Sequence, residues 1–456
     1  MLLKQIFSIP LGDDSFLIYA PLKRTAFIAN SALVNDIVKK CGDKGGSPEL
    51  KNSQNNSSDA VNPDILEELN FFVPEPFPAD DFQTKGIHYD SVVLFLTNEC
   101  NLRCKYCYAS AGEHPVRQME WETAKAGIDN IFSSISTNNL RHAALGFHGG
   151  GEPSMNLPLL KKSVEYFKNI AAENNISYEI TGAFNGFWSS SVREFIFNNF
   201  TDLSISFDGL PEIQNLNRPA KGGTGSFTKV SETLKELDKV GFKYGIRLTA
   251  TDETLHSLYD SVSFICDNFK PYKIQVEPAF DEGRAIVNNS TLSNPDEFIR
   301  LFIKSYRTAV EKNIDLFYSG ARLNVITQRF CLAACRALVV TPDGDVTTCF
   351  ESFGKEHPDS DLFFVGRYGG NGKFIIDNDK LKKHYSRTVD NIKFCSDCFC
   401  KWHCAGDCAV KNIAVSKGEL LKPGSRCYIN QELTKFLIME RIAKSGGFIW
   451  TETAAL

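Results

Sequence analysis

The sequence predicts an α/β fold: a partial (β/α)6 barrel, preceded by a small winged-helix-like α+β module and followed by a cysteine-rich C-terminal domain. Three observations predict it. Strand-like runs alternate with helical patterns between residues 90 and 285, the first 80 residues read as short strands plus a helix, and from about residue 326 the chain turns rich in cysteine and loops. A chain of 456 residues exceeds one hydrophobic core, so several domains are expected. The composition shifts place them at 1–84, 85–325 and 326–456.

In the first region, KQIFSIPL, SFLIYAP and TAFIAN read as three strands, and SALVNDIVKKCG as a helix capped by Ser31. The Gly/Asn/Ser-rich stretch 42–62 reads as a loop, PDILEELN as a short helix and VPEPFPADD as a linker. The barrel strands are SVVLFLT, AALGFHG, SYEITGAF, LSISFDG, YGIRLTAT and YKIQVEPAF, with helices such as LPLLKKSVEYFKNIAAEN and FTKVSETLKELDKVG between them. This alternation implies a parallel sheet with right-handed crossovers, and strands this apolar are covered on both faces. The functional face of such a barrel is at the C-terminal ends of its strands, where Cys100 follows the first strand almost at once. The third region has few long periodic elements before the amphipathic helix NQELTKFLIMERIAK. A core this thin needs staples.

A net charge of −5 gives no electrostatic case for nucleic acid or an anionic membrane. The opening MLLKQIFSIPLGDDSF lacks the apolar core of a signal peptide, and no apolar run approaches a membrane span, so a cytoplasmic protein is expected. In that reducing setting clustered cysteines ligate metal or do redox chemistry. Of 14 cysteines, 11 fall within 100–107 and 331–408, and Cys427 follows. Cys41 and Cys266 stand alone in helix-like stretches and read as small buried hydrophobes.

CNLRCKYC, residues 100–107, spaces its thiols C-x3-C-x2-C with no fourth cysteine nearby. Three thiolates can hold three irons of a four-iron cluster and leave the fourth iron open for a substrate or cofactor. A zinc loop is the competing reading, but zinc loops favour C-x2-C pairs and a fourth ligand. The motif resembles that of the radical S-adenosylmethionine (SAM) enzymes, which reduce SAM through such a cluster and abstract hydrogen with a 5′-deoxyadenosyl radical. The resemblance implies metal ligands at Cys100, Cys104 and Cys107. It implies SAM contacts at Tyr106, at Gly150, Gly151 and Glu152 of GGEP, and at Ser206 of SFDG with Arg218. His148 belongs to the same cleft, as a structural or a substrate-contacting residue.

CRALVVTPDGDVTTC and CSDCFCKWHCAGDC, followed by Cys427, resemble the SPASM extension, which carries two auxiliary clusters in radical SAM enzymes that modify peptides and proteins. The resemblance implies that Cys335, Cys349 and Cys408 ligate the first auxiliary cluster. Cys331 is either its fourth ligand or absent from it, leaving an iron open. Cys395, Cys398, Cys404 and Cys427 are implied for the second, and Cys400 reads as a bystander. Glu351 is a candidate base, although surface exposure is the simpler expectation. Phe350 occupies the position where relatives that oxidise sulfatases carry an aspartate.

The N-terminal strands resemble the recognition element that binds the leader of a ribosomally made precursor peptide as an added edge strand. A plain capping subdomain is the alternative. Taken together, the resemblance implies a peptide maturase with SAM and three [4Fe-4S] clusters, forming an oxidative cross-link (thioether or carbon–carbon). Its partners would be the precursor and an electron donor such as flavodoxin or ferredoxin. Epimerisation of a peptide residue, oxidation of a sulfatase-type protein and a non-catalytic iron–sulfur scaffold are the alternatives.

Overall fold

The computed structural model describes residues 5–41, 66–67, 69–78, 88–331, 333, 335–355, 357–416 and 424–451. The loop expected at 42–62 lies outside these, as does half of the expected PDILEELN helix.

The first three strands form an antiparallel meander: β1 (Phe7–Gly12), β2 (Ser15–Ala20) and β3 (Thr25–Ala29). Helix α1 (Ser31–Cys41) follows, but its cap is not Ser31. Asn30 Oδ1 accepts the Leu33 amide at 2.9 Å, and Ser31, already inside the first turn, donates its amide to Asp14 at 3.0 Å. Asn caps a helix as well as Ser does, so the boundary moves by one residue.

A fourth strand, β15 (Ile449–Thr451), arrives from the far end of the chain and pairs with β3. One face of this small sheet packs on α1 through Phe27, Val34 and Ile37. The other packs Leu17 and Tyr19 on Ile438, Ile442 and Trp450. Ile438 and Ile442 belong to the long C-terminal helix Ser425–Lys444. Trp402 Nε1 donates to Gln5 Oε1 at 2.6 Å across the same contact. The N-terminal sheet is thereby fastened to the C-terminal region on both counts.

The six expected barrel strands are all present and all parallel: β4 (Ser91–Leu94), β5 (His142–Phe147), β6 (Ser177–Phe184), β7 (Asp202–Ser206), β8 (Tyr244–Ala250) and β9 (Lys273–Pro278). Helices cover them by apolar stripes. Helix α2 (Trp121–Thr137) buries Ala124, Ile128, Ile131 and Ile135, and α3 (Leu157–Glu173) buries Leu160, Val164, Phe167 and Ala171, the spacing of one helix face.

Strands unforeseen in the sequence extend both edges. β10 (Asp315–Phe317) joins β9, and β11 (Ala337–Val340) joins β4, each in parallel. β12 (Asp345–Thr347), β13 (Phe364–Tyr368) and β14 (Phe374–Ile376) continue beyond β11 in antiparallel pairs. Among the described residues this makes one open eleven-stranded sheet. The cysteine-rich region therefore does not rest on a thin core of its own. Leu338, Val340, Val346 and Val365 belong to the same hydrophobic cluster as the barrel. No described helix is long and apolar enough to cross a membrane.

Candidate active site

The ends of β4–β9 open into a cavity of about 520 Å³ whose wall includes Cys100, Cys104 and Cys107. The carbonyls of the cysteine loop are held by two arginines, while the Leu102 amide points at Cys100 Sγ from 3.4 Å. Arg103 Nη1 donates to the carbonyls of Cys100 (2.7 Å) and Leu102 (2.8 Å). Arg284 reaches across the barrel to the carbonyls of Cys104 (2.9 Å) and Ala111 (2.8 Å), and its amide takes that of Cys107. The thiols lie close enough to disfavour one another's ionisation: burial pushes Cys104 up to about 11, with Cys107 adding to the rise. Asn185 Nδ2 points at Cys100 Sγ from 3.7 Å.

The glycine strip lies against this loop. Glu152 donates its amide to the Glu99 carbonyl at 2.7 Å. A Cβ on Gly151 would stand 2.3 Å from the Glu99 oxygen and 2.6 Å from that of Thr97, and one on Gly150 would enter the Phe353 ring. The Glu152 carboxylate is not free to act as a fourth ligand. It accepts from Ser154 Oγ, the Asn185 amide and Trp188 Nε1 at 2.7, 2.8 and 3.1 Å. Gly151→Ala should therefore displace the Thr97–Glu99 backbone that leads into Cys100. Overpacking of this kind costs about 1–3 kcal/mol, and its expected readout is loss of cluster absorbance with the protein still folded by circular dichroism.

Tyr106, Ser206 and Arg218 line the same cavity, but Arg218 is already engaged. Its Nε and Nη2 face the two Asp208 oxygens, each at 3.2 Å, and its guanidinium lies 5.0 Å over the Tyr106 ring. Tyr106 Oη donates to the same carboxylate. Asp208, inside the SFDG stretch, passed unnoticed in the sequence. Only Arg218 Nη1 is left to face a ligand.

A family model described as the radical SAM superfamily matches residues 94–265. An uncharacterized protein of Methanocaldococcus jannaschii is 30% identical over 210 residues, 43% of this chain and 70% of that one. The chain belongs to the radical SAM superfamily. The radical SAM cyclopropyl synthase TigE of Paramaledivibacter caminithermalis is 21% identical over 348 residues, 71% of this chain and 68% of that one. The crystal structure of Streptococcus suis SuiB bound to precursor peptide SuiA shares the fold over 93% of this chain and 98% of that one, with a TM-score of 0.51 and 14% identity. The protein is accordingly an enzyme, and its family implies a [4Fe-4S] cluster and SAM. The residues fit that pair: three thiols on one loop, no fourth protein ligand beside them among the described residues, and a glycine strip that side chains would fill. Among the described residues no three His, Cys, Asp or Glu side chains converge to hold a single metal ion.

The C-terminal cysteines of this radical SAM enzyme fall into two places. Cys395, Cys398, Cys404 and Cys427 act on one another's ionisation and so share one pocket. Asn430 Nδ2 donates to Cys404 Sγ at 3.2 Å, and Gln431 Nε2 to Cys398 Sγ at 3.7 Å. Cys331, Cys349 and Cys408 line the same cavity as the cysteine loop, and Cys349 and Cys408 interact. Cys335 is not in that wall; its thiol donates to the Cys331 carbonyl at 3.4 Å. Cys266 is buried in a helix, as the bland reading of it expects. Cys400 is buried with its thiol 3.7 Å from the Asn430 carbonyl, and it lies beside Cys398, whose thiol it draws down to about 7.

Glu351 is not on the surface. It follows β12 into the cavity wall and pairs with Lys411 at 3.5 Å. Burial pushes its carboxyl up, but the Lys411 ammonium, a hydrogen bond from Glu282, and the Arg247 and Arg426 charges outweigh this and hold it at about 2. Burial and the Glu351 charge hold Glu282 well above the carboxylate range, so it carries the proton between them. His148 lies between Phe95 and Phe350, its Nδ1 buried and without a hydrogen-bond partner. Burial and the Arg247 charge bring it to about 4, so the ring is neutral at neutral pH.

Proposed function

We propose that this enzyme matures a ribosomally made peptide by an oxidative cross-link, thioether or carbon–carbon, within the cavity between the N-terminal cysteine loop and the Cys349–Cys408 wall. The carrying observation is that one cavity is bounded by both sets of thiols. A substrate residue placed there sits between the group that starts the reaction and a group able to take an electron. Two similar proteins support the reading: one is a radical SAM cyclopropyl synthase, another is seen with its precursor peptide.

Cys100, Cys104 and Cys107 would hold the first [4Fe-4S] cluster, with Gly150, Gly151, the Tyr106 and Glu152 backbones, Ser206 and the remaining Arg218 Nη1 on SAM. When bound, this pair supplies a 5′-deoxyadenosyl radical for hydrogen abstraction. Cys335, Cys349 and Cys408 would hold a first auxiliary cluster, with Cys331 as its fourth ligand or an open iron in that place, and Cys395, Cys398, Cys404 and Cys427 a second. Arg103 and Arg284 fix the loop, while Phe350, Phe280 and Tyr108 exclude water from the cavity. Glu282 carries a proton there, and the ionised Glu351 carboxylate beside it would receive the proton a cross-link releases and pass it on to solvent. Glu351→Gln is expected to lower cross-linked product about 10²-fold or more, the usual contribution of a positioned base, with 5′-deoxyadenosine still formed. Unchanged product would remove Glu351 from the mechanism.

The N-terminal meander would bind the leader as an edge strand. β15 covers the β3 edge, so among the described residues β1 presents an open edge for it. An electron donor such as flavodoxin or ferredoxin would reduce the first cluster. The discriminating experiment is to reduce the reconstituted protein with dithionite and SAM under anaerobic conditions. Release of 5′-deoxyadenosine is expected, and intact SAM would favour a non-catalytic scaffold.

A further inference from the structure

Arg247 sits in the middle of β8, in register with Ser206 on β7 and Gln275 on β9. Registered partners in a ladder share a face, and all three residues line the cavity. The other cations of the wall described above have partners: Arg218 has Asp208, Lys411 has Glu351, and Arg426 has Asp407 and Glu277. The partly buried Arg247 guanidinium has no hydrogen bond or ion pair among the described residues.

Arg218 and Arg247 face different groups of the cavity wall. Arg218 acts on Cys104 and Tyr106, beside the cysteine loop. Arg247 acts on Tyr108, His148, Glu277 and Glu351, on the side of the Cys349–Cys408 wall. A guanidinium drawn out of water costs free energy unless something pairs with it. Its planar fork matches a carboxylate with two parallel hydrogen bonds. Among the described residues the nearby carboxylates are engaged elsewhere, Glu351 and Glu277 with Lys411 and Arg426 and Glu282 with Glu351, which leaves the guanidinium for a partner from outside the chain.

We propose that Arg247 receives a carboxylate of the peptide substrate, an Asp or Glu side chain or the chain's C-terminal carboxylate, and thereby fixes the residue attacked. The assignment rests on the peptide-maturase reading and narrows it to an acidic substrate segment. Sequence inspection offered one signal for it: a charged residue inside the apolar strand YGIRLTAT.

The test uses reconstituted holoenzyme, wild type against Arg247→Gln and Arg247→Lys. The probes are N-acetylglutamate N-methylamide and its glutamine counterpart, whose binding is measured by equilibrium dialysis alongside that of SAM. Wild type should hold the acidic probe about tenfold tighter or more, the value of a charged hydrogen-bonded pair. Arg247→Gln should erase that preference, Arg247→Lys should keep part of it, and all three should bind SAM alike. Equal binding of the two probes by wild type overturns the proposal, as does a preference that survives in Arg247→Gln. A fall in SAM affinity of about tenfold in Arg247→Gln overturns it too, since the carboxylate would then be that of SAM. Release of 5′-deoxyadenosine by the wild type is scored separately. Its absence would defeat the radical maturase reading while leaving the probe result intact.

Discussion

Changing Cys100, Cys104 and Cys107 together to Ala is expected to reduce 5′-deoxyadenosine formation to background. The iron content of anaerobically reconstituted protein should fall by about a third, one four-iron cluster in three. The fold should survive. The loop is held through its carbonyls by Arg103 and Arg284, and none of those hydrogen bonds uses a thiol. An unchanged far-ultraviolet spectrum with lost SAM cleavage would separate a catalytic from a scaffolding role. Full iron content in the triple variant would mean that these thiols hold no cluster.

The second large effect is on stability. Arg426 is buried between Asp407, with atoms at 2.8 and 3.1 Å, and Glu277 at 3.6 Å; the side chains are 5%, 1% and 3% exposed. Arg426→Met keeps the volume but strands two carboxylates in a low-dielectric site. Breaking a buried pair from one side costs about 3–5 kcal/mol, and denaturant unfolding should show a loss of that order. Arg426→Met combined with Asp407→Asn should recover part of it. A loss under about 1 kcal/mol would show that water screens the site as it does a surface pair. The effect should also reach the cavity, because Glu277 and Lys411 line it with Arg426.

The parts of the fold legible in the sequence are those whose physics is local. Six strands could be read because fully buried parallel strands are unbroken apolar runs and each is followed by a helical pattern. β10, β12, β14 and β15 have three residues each, too few for any period to register. β11 hid inside CRALVVTPDGDVTTC, where the spacing of cysteines competed with the apolar ALVV for one reading. The small sheet could be anticipated as a meander, but its fourth strand comes from residues more than 400 positions away.

The candidate site divides along the same line. Thiol and glycine positions are recognisable because their spacing is itself the chemistry. Arg284 is not, since it acts on carbonyls of a loop some 180 residues earlier. Asp208 was visible within SFDG, yet nothing local announces that it pairs with Arg218 ten residues on. Glu351 read as a surface residue because a lone carboxylate is seldom buried, although Phe350 and Phe353 flank it. Its burial follows from the sheet extension beyond β11, which the sequence did not disclose.

The measurement that bears most directly on the account is the mass of a candidate precursor peptide after anaerobic co-expression with this enzyme and with the triple cysteine variant. Loss of a pair of hydrogen atoms with the wild type, and no loss with the variant, is the predicted result. An unchanged mass that takes up deuterium from heavy water would mean epimerisation, and would contradict the oxidative cross-link.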